Sequence, residues 1–135
     1  IVGNPRALAV HPTEWEKVVA ATSTGLFLSE DGGEHFRRVA EGGEMLAATF
    51  DLDGRTLWLS AHDGRPRLGK YDLNLGTRSD VTIPVAPDDA ILYIAQNSVV
   101  RNSYAIATHA RNVFLSEDGG KSWRQIADRG QAVVQ

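Results

Sequence analysis

Apolar residues occur along the chain in short runs, which polar and glycine-containing turns separate. The runs are rich in β-branched and aromatic residues, as in Val18–Thr22 and Val113–Ser116. No segment places apolar residues at the i, i+3, i+4, i+7 spacing of an amphipathic helix over a dozen positions. Turn-forming pairs such as Asp53-Gly54 and Asp63-Gly64 end several runs. The pattern therefore predicts an all-β chain of short antiparallel strands.

One motif is repeated near the two ends of the chain. The letters LFLSEDGG around Asp31 return as VFLSEDGG around Asp118, so seven of eight letters match. The two aspartates are 87 residues apart (118 − 31). A degenerate copy, with Asp72 in the role of Asp31, divides this distance into two units of about 44 residues. The spacing predicts three repeat units, at 5–43, 44–88 and 89–130.

Each repeat unit contains four predicted strands. Four short strands in a unit of this length are typical of one blade of a β-propeller. A single small β-sandwich is the alternative fold, and the internal repeat counts against it. We therefore expect three four-stranded antiparallel sheets around one axis, in a single partial propeller domain covering residues 1–135.

The repeated turn has residue types that suit a tight hairpin. Its aspartate and serine can accept hydrogen bonds from N–H groups of the turn, and its glycines permit a positive φ. Its aromatic residue can pack beneath the turn, between blades. The pattern resembles the Asp-box, or BNR, repeat of sialidases, sortilin-type receptors and many bacterial propellers. The two copies consist of Ser29, Asp31, Gly33 and Phe36, and of Ser116, Asp118, Gly120 and Trp123.

The resemblance covers nearly the whole chain and is to the C-terminal half of bacterial glycosyl-hydrolase-like BNR propeller proteins. Such repeats occur in enzymes and in scaffolds, including propellers that assist photosystem assembly, so they imply the fold and not a reaction. We interpret Asp31 and Asp118 as hydrogen-bonded turn residues rather than as calcium or carbohydrate ligands. The resemblance favours an extracytoplasmic or secreted location. No cofactor and no metal site is predicted.

Composition excludes several classes of function. The chain has 135 residues and a net charge of −3, so it lacks the dense basic face of a sequence-independent nucleic-acid binder. No apolar run approaches the ~20 residues that span a bilayer. The absence of cysteine excludes disulfides, thiolate metal sites and cysteine nucleophiles.

No catalytic signature accompanies the repeats. A sialidase needs three convergent arginines, a tyrosine nucleophile with a glutamate partner, and an acidic proton donor. No glutamate pairs convincingly with Tyr71, Tyr93 or Tyr104 in the sequence. We therefore expect no catalytic residues and a non-catalytic Asp-box module for protein or glycan binding and assembly. The alternative is a sialidase-like glycoside hydrolase with its site at the channel mouth.

A candidate binding site lies in the loops between second and third strands. In a propeller these loops open on the same end as the connections between blades. Aligning the units places His62 and His109 at one position, with Ser23 in the first unit. Polar groups around a channel mouth suit an anionic or sugar-like ligand, and an exposed polar hairpin loop without a ligand role is the alternative. The candidate ligand-binding residues are His62, Asp63, Arg65, Arg67, His109 and Arg111.

Three blades form an open arc, because propellers have about four to eight blades. The outer units are as apolar as interior ones, and exposed apolar faces mark interfaces. We expect a second half-propeller to complete six blades, from a homodimer partner or from the missing part of a longer chain. The first residue is Ile1 rather than methionine, which favours the longer chain. The tail at 131–135 is expected to be a strand that completes a neighbouring blade.

Three further residues have structural interpretations. Trp58 lies within a predicted strand and is expected in the core. Trp15 lies in a polar loop, and we interpret it as a blade-packing aromatic residue in preference to an exposed partner contact. His11 precedes Pro12 and is interpreted as the end of a strand.

Overall fold

The computed structural model describes residues 3–133, which form β-strands and turns as predicted. Thirteen strands in this range form three antiparallel sheets, and neighbouring strands in each sheet follow one another in the sequence. No helix among these residues is long and apolar enough to cross a membrane.

The sheets follow one another along the chain. The first consists of β1 (Pro5–Val10), β2 (Val18–Thr22), β3 (Gly25–Ser29) and β4 (Arg37–Ala40). The second consists of β5 (Glu44–Phe50), β6 (Thr56–His62), β7 (Pro66–Asp72) and β8 (Thr77–Val81). The third consists of β9 (Ile91–Gln96), β10 (Tyr104–Thr108), β11 (Val113–Ser116), β12 (Arg124–Asp128) and β13 (Gln131–Ala132).

The third sheet has a short fifth strand that the sequence analysis placed elsewhere. Strand β13 pairs with β12 of its own sheet. The prediction that the tail completes a neighbouring blade is therefore wrong for residues 131–132, because these residues extend the hairpin they follow. Val134 and Gln135 lie outside the described residues.

The three sheets are arranged as consecutive blades of a propeller. Strand β5 contacts both β1 and β9, so the first strands of the sheets lie together along the inside of the arc. One core packs the first sheet on the second and is formed by Val19, Ala21, Leu26, Leu28, Met45, Phe50, Leu57, Leu59, Ala61 and Tyr71. A second core packs the second sheet on the third and is formed by Trp58, Leu68, Ile91, Tyr104, Ile106 and Phe114. The placement of Trp58 in the core is confirmed, since its side chain is 1% exposed.

Pairing registers show which residues of the three sheets are equivalent. In each sheet the last residue of the first strand pairs with one residue of the second strand, which is Val18, Leu57 and Tyr104 in turn. Five residues further on, Ser23, His62 and His109 occupy equivalent positions, in agreement with the alignment made from the sequence.

The middle repeat departs from the predicted alignment. Asp72 ends β7, whereas Asp31 lies two residues beyond the end of β3. The reason is that the β7–β8 turn comprises only residues 73–76, while the corresponding turn of the first sheet comprises 30–36. Asp72 nevertheless has a comparable role, because its Oδ1 accepts hydrogen bonds from two N–H groups of its own turn, both at 2.9 Å.

Candidate functional site

The β6–β7 hairpin contains four of the predicted ligand residues, and its charges are largely paired. Arg67 donates from Nη1 to Asp63 Oδ2 and from Nη2 to Asp80 Oδ2, both at 2.9 Å. The hydrogen bond from Arg67 lowers the pKa of Asp63. Arg65 is exposed, and its guanidinium makes no hydrogen bond or ion pair with any residue of the described range. Arg65 therefore stands in no ion pair, although its charge helps to lower the pKa of Asp63.

The β10–β11 hairpin contains the other two predicted residues and is fixed to the connection between the second and third sheets. The His109 N–H donates to Ala90 O at 2.9 Å. The Ala110 N–H donates to Asp89 Oδ1, also at 2.9 Å. These bonds hold the hairpin while the side chains of His109 and Arg111 remain exposed.

The two predicted histidines share a position in the repeat without touching each other. His62 is half-buried at the end of β6, and no hydrogen bond or ring contact within residues 3–133 joins it to His109. Within residues 3–133, the group of side chains whose ligand atoms lie close enough to hold a metal ion is elsewhere, in the β3–β4 turn. It consists of Asp31, Glu34 and His35, all of them exposed. Both Asp31 oxygens already accept hydrogen bonds within that turn.

The two copies of the repeated turn, at the opposite end of the sheets, satisfy their own hydrogen bonds. Ser29 Oγ donates to Asp31 Oδ1 at 2.7 Å, and Ser116 Oγ donates to Asp118 Oδ1 at 2.8 Å. The N–H of His35 is the main cause of the lowered pKa of Asp31. The hydroxyl and N–H of Ser122 lower the pKa of Asp118 to about 2. Both aspartates thus act as acceptors for their turns.

Trp15 contradicts the interpretation made from the sequence. Its side chain is 73% exposed, so it does not pack between blades. The β1–β2 loop extends past the end of the sheet, and there the ring covers Gly32 of the β3–β4 turn. A Cβ atom on Gly32 would lie 2.9 Å from Trp15 Cζ3.

A buried aspartate that the sequence analysis did not identify joins the second sheet to the third. Asp51 follows β5 directly and is 7% exposed. Its carboxylate accepts hydrogen bonds from Trp58 Nε1 at 3.0 Å, from Gln96 Nε2 at 3.3 Å and from the Tyr104 hydroxyl. Only its position after a first strand could have pointed to it, because Gln96 and Tyr104 are more than forty residues away in the sequence.

Burial and hydrogen bonding act in opposite directions on the acid groups of this region. Burial by itself would raise the pKa of Asp51, but hydrogen bonds led by that from Tyr104 outweigh it and lower the pKa. Asp89 behaves alike: burial by itself would raise its pKa, but the neighbouring Thr108 hydroxyl and the N–H groups of Ala110 and Ala90, which donate to Oδ1, outweigh burial and lower the pKa. Burial and the bond to Asp51 raise the pKa of Tyr104. Asp51 and Asp89 are therefore acceptors and not proton donors.

We expect the protein to lose stability as the pH falls below about 4, the ordinary pKa of an aspartate. Asp51 and Asp89 have lowered pKa values in the folded state, so the unfolded chain binds more protons in acid. Their stabilisation is complete above the unfolded pKa and disappears as the pH falls through the folded pKa. Urea midpoints at about pH 7, 5 and 3 measure this. Asp51→Asn should give a shallower pH dependence, and an unchanged slope would contradict the assignment.

Comparison with known proteins shows the fold. No protein-family model matches the chain, and no curated protein has a matching sequence. The structure resembles YCF48 bound to a D1 peptide, with a TM-score of 0.71 and 13% identity over 92% of this chain and 40% of that chain. It also resembles YCF48 from Cyanidioschyzon merolae, with a TM-score of 0.75 and 14% identity over 92% of this chain and 37% of that chain.

A glycoside hydrolase is among the similar structures too. The GH74 xyloglucanase from Xanthomonas campestris matches with a TM-score of 0.74 and 16% identity, over 92% of this chain and 21% of the enzyme. Identities this low show a shared β-propeller fold and do not decide between a binding module and a glycosidase. The chain spans two fifths or less of each of these proteins.

Proposed function

We propose that the chain is a non-catalytic module of Asp-box blades for protein or glycan binding and assembly, and that a second half-propeller completes it to six blades. The domain comprises residues 1–135, and its repeated turns are Asp-boxes. The observation that carries the proposal is an apolar face of the third sheet that no other sheet of residues 3–133 covers.

The apolar face of the third sheet is more exposed than the equivalent face of the first sheet. We define the forward face of a sheet as the side that packs on the next sheet along the chain. In the first sheet it includes Val19, Ala21, Leu26 and Leu28, each at most 5% exposed. The equivalent residues of the third sheet are Ala105, Ala107, Val113 and Leu115, all of them partly exposed. On β9 of the same face, Tyr93 is 69% exposed.

The first sheet also has an uncovered face, on the side that would pack on a preceding blade. Its back face, turned away from the second sheet, includes Leu8 and Val10, which are 68% and 58% exposed. The residue equivalent to Val10 in the second sheet is Phe50, which is 6% exposed because the first sheet covers it. A back face and a forward face are the two surfaces that pack between blades. Closure by a second half-propeller, from another copy or from a longer chain, would therefore bury both.

Self-association tests closure by a second copy. Leu115→Arg places a charge on the forward face of the third sheet, so we expect it to weaken association at least about tenfold. Sedimentation velocity over a range of concentrations measures this. Leu75→Arg, in the exposed β7–β8 turn, is the matched control and should leave association unchanged. A strict monomer at high micromolar concentration would contradict the homodimer.

The binding surface that we propose is the hairpin end of the arc. Arg65 and Arg111 supply exposed positive charge there, Asp63 fixes Arg67, and His62 and His109 occupy one position of the repeat. This arrangement supports an anionic or sugar-like group as the ligand. A glycan array and a pull-down with the Arg65→Gln and Arg111→Gln variants test it. Capture that both variants retain in full would contradict this surface.

The second candidate is a glycoside hydrolase with its site at the channel mouth, which the likeness to GH74 structures favours. A glycosidase needs one carboxyl group that stays protonated near neutral pH. Asp63, Asp51 and Asp89 all have lowered pKa values, which supports the non-catalytic proposal. A screen with fluorogenic glycosides, sialosides included, separates the two. Turnover that Asp63→Asn abolishes would overturn the binding proposal.

A further inference from the structure

The repeated turn of the third sheet is covered by the sheet that precedes it. The Trp58 ring of the second sheet lies over this turn, and a Cβ atom on Gly120 would be 3.0 Å from Trp58 Cη2. Lys70 of the second sheet donates to Gly119 O of the same turn at 3.1 Å. We call the contact between the forward face of one sheet and the back face of the next a seam. At this seam, the preceding sheet thus supplies the ring that packs on the turn.

The repeated turn of the first sheet has no such cover from another sheet of residues 3–133. Gly33 is the equivalent of Gly120, and a Cβ atom on Gly33 would meet no heavy atom within 4 Å beyond its chain neighbours. Gly33 is exposed, whereas Gly120 is buried. Next to it, the Trp15 ring lies against Gly32 and is 73% exposed. A large apolar ring therefore stands where a preceding sheet would pack.

Trp15 occupies a loop position that faces the preceding sheet. The first glycine of the SEDGG turn donates its N–H to Glu16 O in the first sheet, at 2.9 Å, and to Asn102 O in the third sheet, at 3.0 Å. The residues just before these acceptors, Trp15 and Arg101, are therefore equivalent. Arg101 lines the cleft between the second and third sheets. Trp15 would line the same cleft at a seam between the first sheet and a preceding one.

The third sheet has small and apolar residues where such a ring would pack. On its forward face, Ala105 is the equivalent of Trp58, and Leu115 is the equivalent of Lys70. Ala105 brings no ring to the seam, so the indole of Trp15 has room there. Leu115 replaces an ammonium with an aliphatic side chain. The first sheet of this chain thus supplies the ring that its third sheet lacks.

The two arginines that flank these faces are paired within their own sheets. Arg124 lies opposite Leu115 and has its Nη2 3.0 Å from Glu117 Oε1. Arg38 has its Nη1 3.6 Å from Glu41 Oε2. Neither arginine needs a partner from across the seam. Burial of apolar surface therefore drives the contact.

We propose that a second copy of this chain completes the arc, with its first sheet seated on the forward face of the third sheet and its Trp15 packed against Ala105 and Leu115. Such a dimer presupposes the closed ring of the proposed function and identifies the chain that completes it. The contact forms twice, because each copy has one forward face and one back face to cover. Two copies therefore close a ring about a two-fold axis. The sheets meet as they already do at the two seams within the chain.

Cross-linking tests the partner, and it uses the absence of cysteine from the sequence. At the seam between the second and third sheets, the N–H of Leu52 donates to Gln96 Oε1 at 2.8 Å. The equivalent residues at the proposed seam are Ser98 of one copy and Val10 of the other. On mild oxidation, Ser98→Cys mixed with Val10→Cys should form a covalent dimer at least about tenfold faster than either variant alone, because identical residues lie at separate seams. Non-reducing electrophoresis measures this.

Two further samples decide the outcome. Ser98→Cys mixed with Leu75→Cys, in the exposed β7–β8 turn, is the matched control and should cross-link no faster than its components. The double variant Val10→Cys/Ser98→Cys should stop at a covalent dimer, and a ladder of longer products would overturn the two-copy ring. A Ser98→Cys and Val10→Cys mixture as slow as the control would overturn the second copy as the partner. Completion by a longer chain, and with it the proposed function, would still stand.

Exchanging the sizes of two side chains tests the packing of Trp15. Trp15→Ala should weaken association about tenfold through lost apolar contact, while the monomer unfolds as before because its ring is exposed. Ala105→Trp should weaken association about as much, since two indoles then compete for one space. The double variant Trp15→Ala/Ala105→Trp should recover most of the affinity in sedimentation experiments. If it did not, while Leu115→Arg still disrupted the dimer, the contact proposed for Trp15 would be wrong and the closed ring would remain.

Discussion

Replacing Trp58 with Ala is expected to lower the free energy of unfolding by about 3–5 kcal/mol, the usual cost of deleting a large core side chain. Trp58 is 1% exposed, and its ring centre lies 4.4 Å from that of Tyr104 across the boundary between the second and third sheets. The substitution leaves a cavity there and removes the N–H donor at 3.0 Å from Asp51. Urea denaturation followed by far-UV circular dichroism measures the change.

Two variants separate the contributions of Trp58. Trp58→Phe keeps an aromatic ring but leaves the buried Asp51 carboxylate one donor short, so we expect it to cost about 1–3 kcal/mol. Trp15→Ala removes an indole that is 73% exposed and should change stability by no more than about 0.5 kcal/mol. Similar losses in Trp58→Ala and Trp15→Ala would contradict the packing described for the two sheets.

The fold could be predicted because the repeat is visible in the letters themselves. The two SEDGG turns and the alternation of short apolar runs with turns led to three four-stranded sheets. The structure contains these sheets, with the short strand β13 added to the third. The equivalence of His62 and His109 could be predicted for the same reason. Each lies five residues beyond the residue of its second strand that pairs with the end of the first strand, which is Leu57 or Tyr104.

Details that depend on the length of a loop could not be predicted from the repeat. Asp72 was placed in the role of Asp31, but the shorter turn after β7 moves it to the last position of the strand. Trp15 was expected between blades, because an indole usually gains from burial. Its loop extends beyond the sheets, and there one edge of the ring lies against Gly32 of the β3–β4 turn.

The cross-sheet contacts were missed for a different reason. Asp51, Gln96 and Tyr104 look like ordinary loop and strand residues, and nothing local indicates that they meet. The burial of Asp51 depends on the third sheet packing beside the second, which is a long-range property. The predicted ligand residues raise the same difficulty, since the pairing of Arg67 with Asp80 spans thirteen residues and removes a charge that the sequence presents as available.

His11 provides the same kind of link between the first and second sheets, at the position equivalent to Asp51. It is 5% exposed. Its Nδ1 accepts hydrogen bonds from the N–H groups of Thr13 and Glu14, at 3.1 and 3.0 Å. The proton therefore lies on Nε2, which donates to Gly54 O at 2.8 Å. The interpretation of His11 as a simple strand end is thus incomplete, because one imidazole caps its own loop and ties it to the next blade.

We expect His11→Ala to lower the free energy of unfolding by about 2–3 kcal/mol, because three backbone groups lose their partner at once. His11→Asn should recover part of this loss. Asn97, at the equivalent position of the third sheet, accepts hydrogen bonds from two loop N–H groups at 2.8 and 2.9 Å, but an asparagine is too short to reach Gly54 as well.

His109→Ala, at an exposed histidine, is the matched control for urea denaturation. Hydrogen exchange gives an independent measure, since the amide of Glu14 should exchange faster in His11→Ala and keep its protection in His11→Asn. If both His11 variants were as stable as His109→Ala, the link between the first two sheets would contribute nothing to holding the arc together.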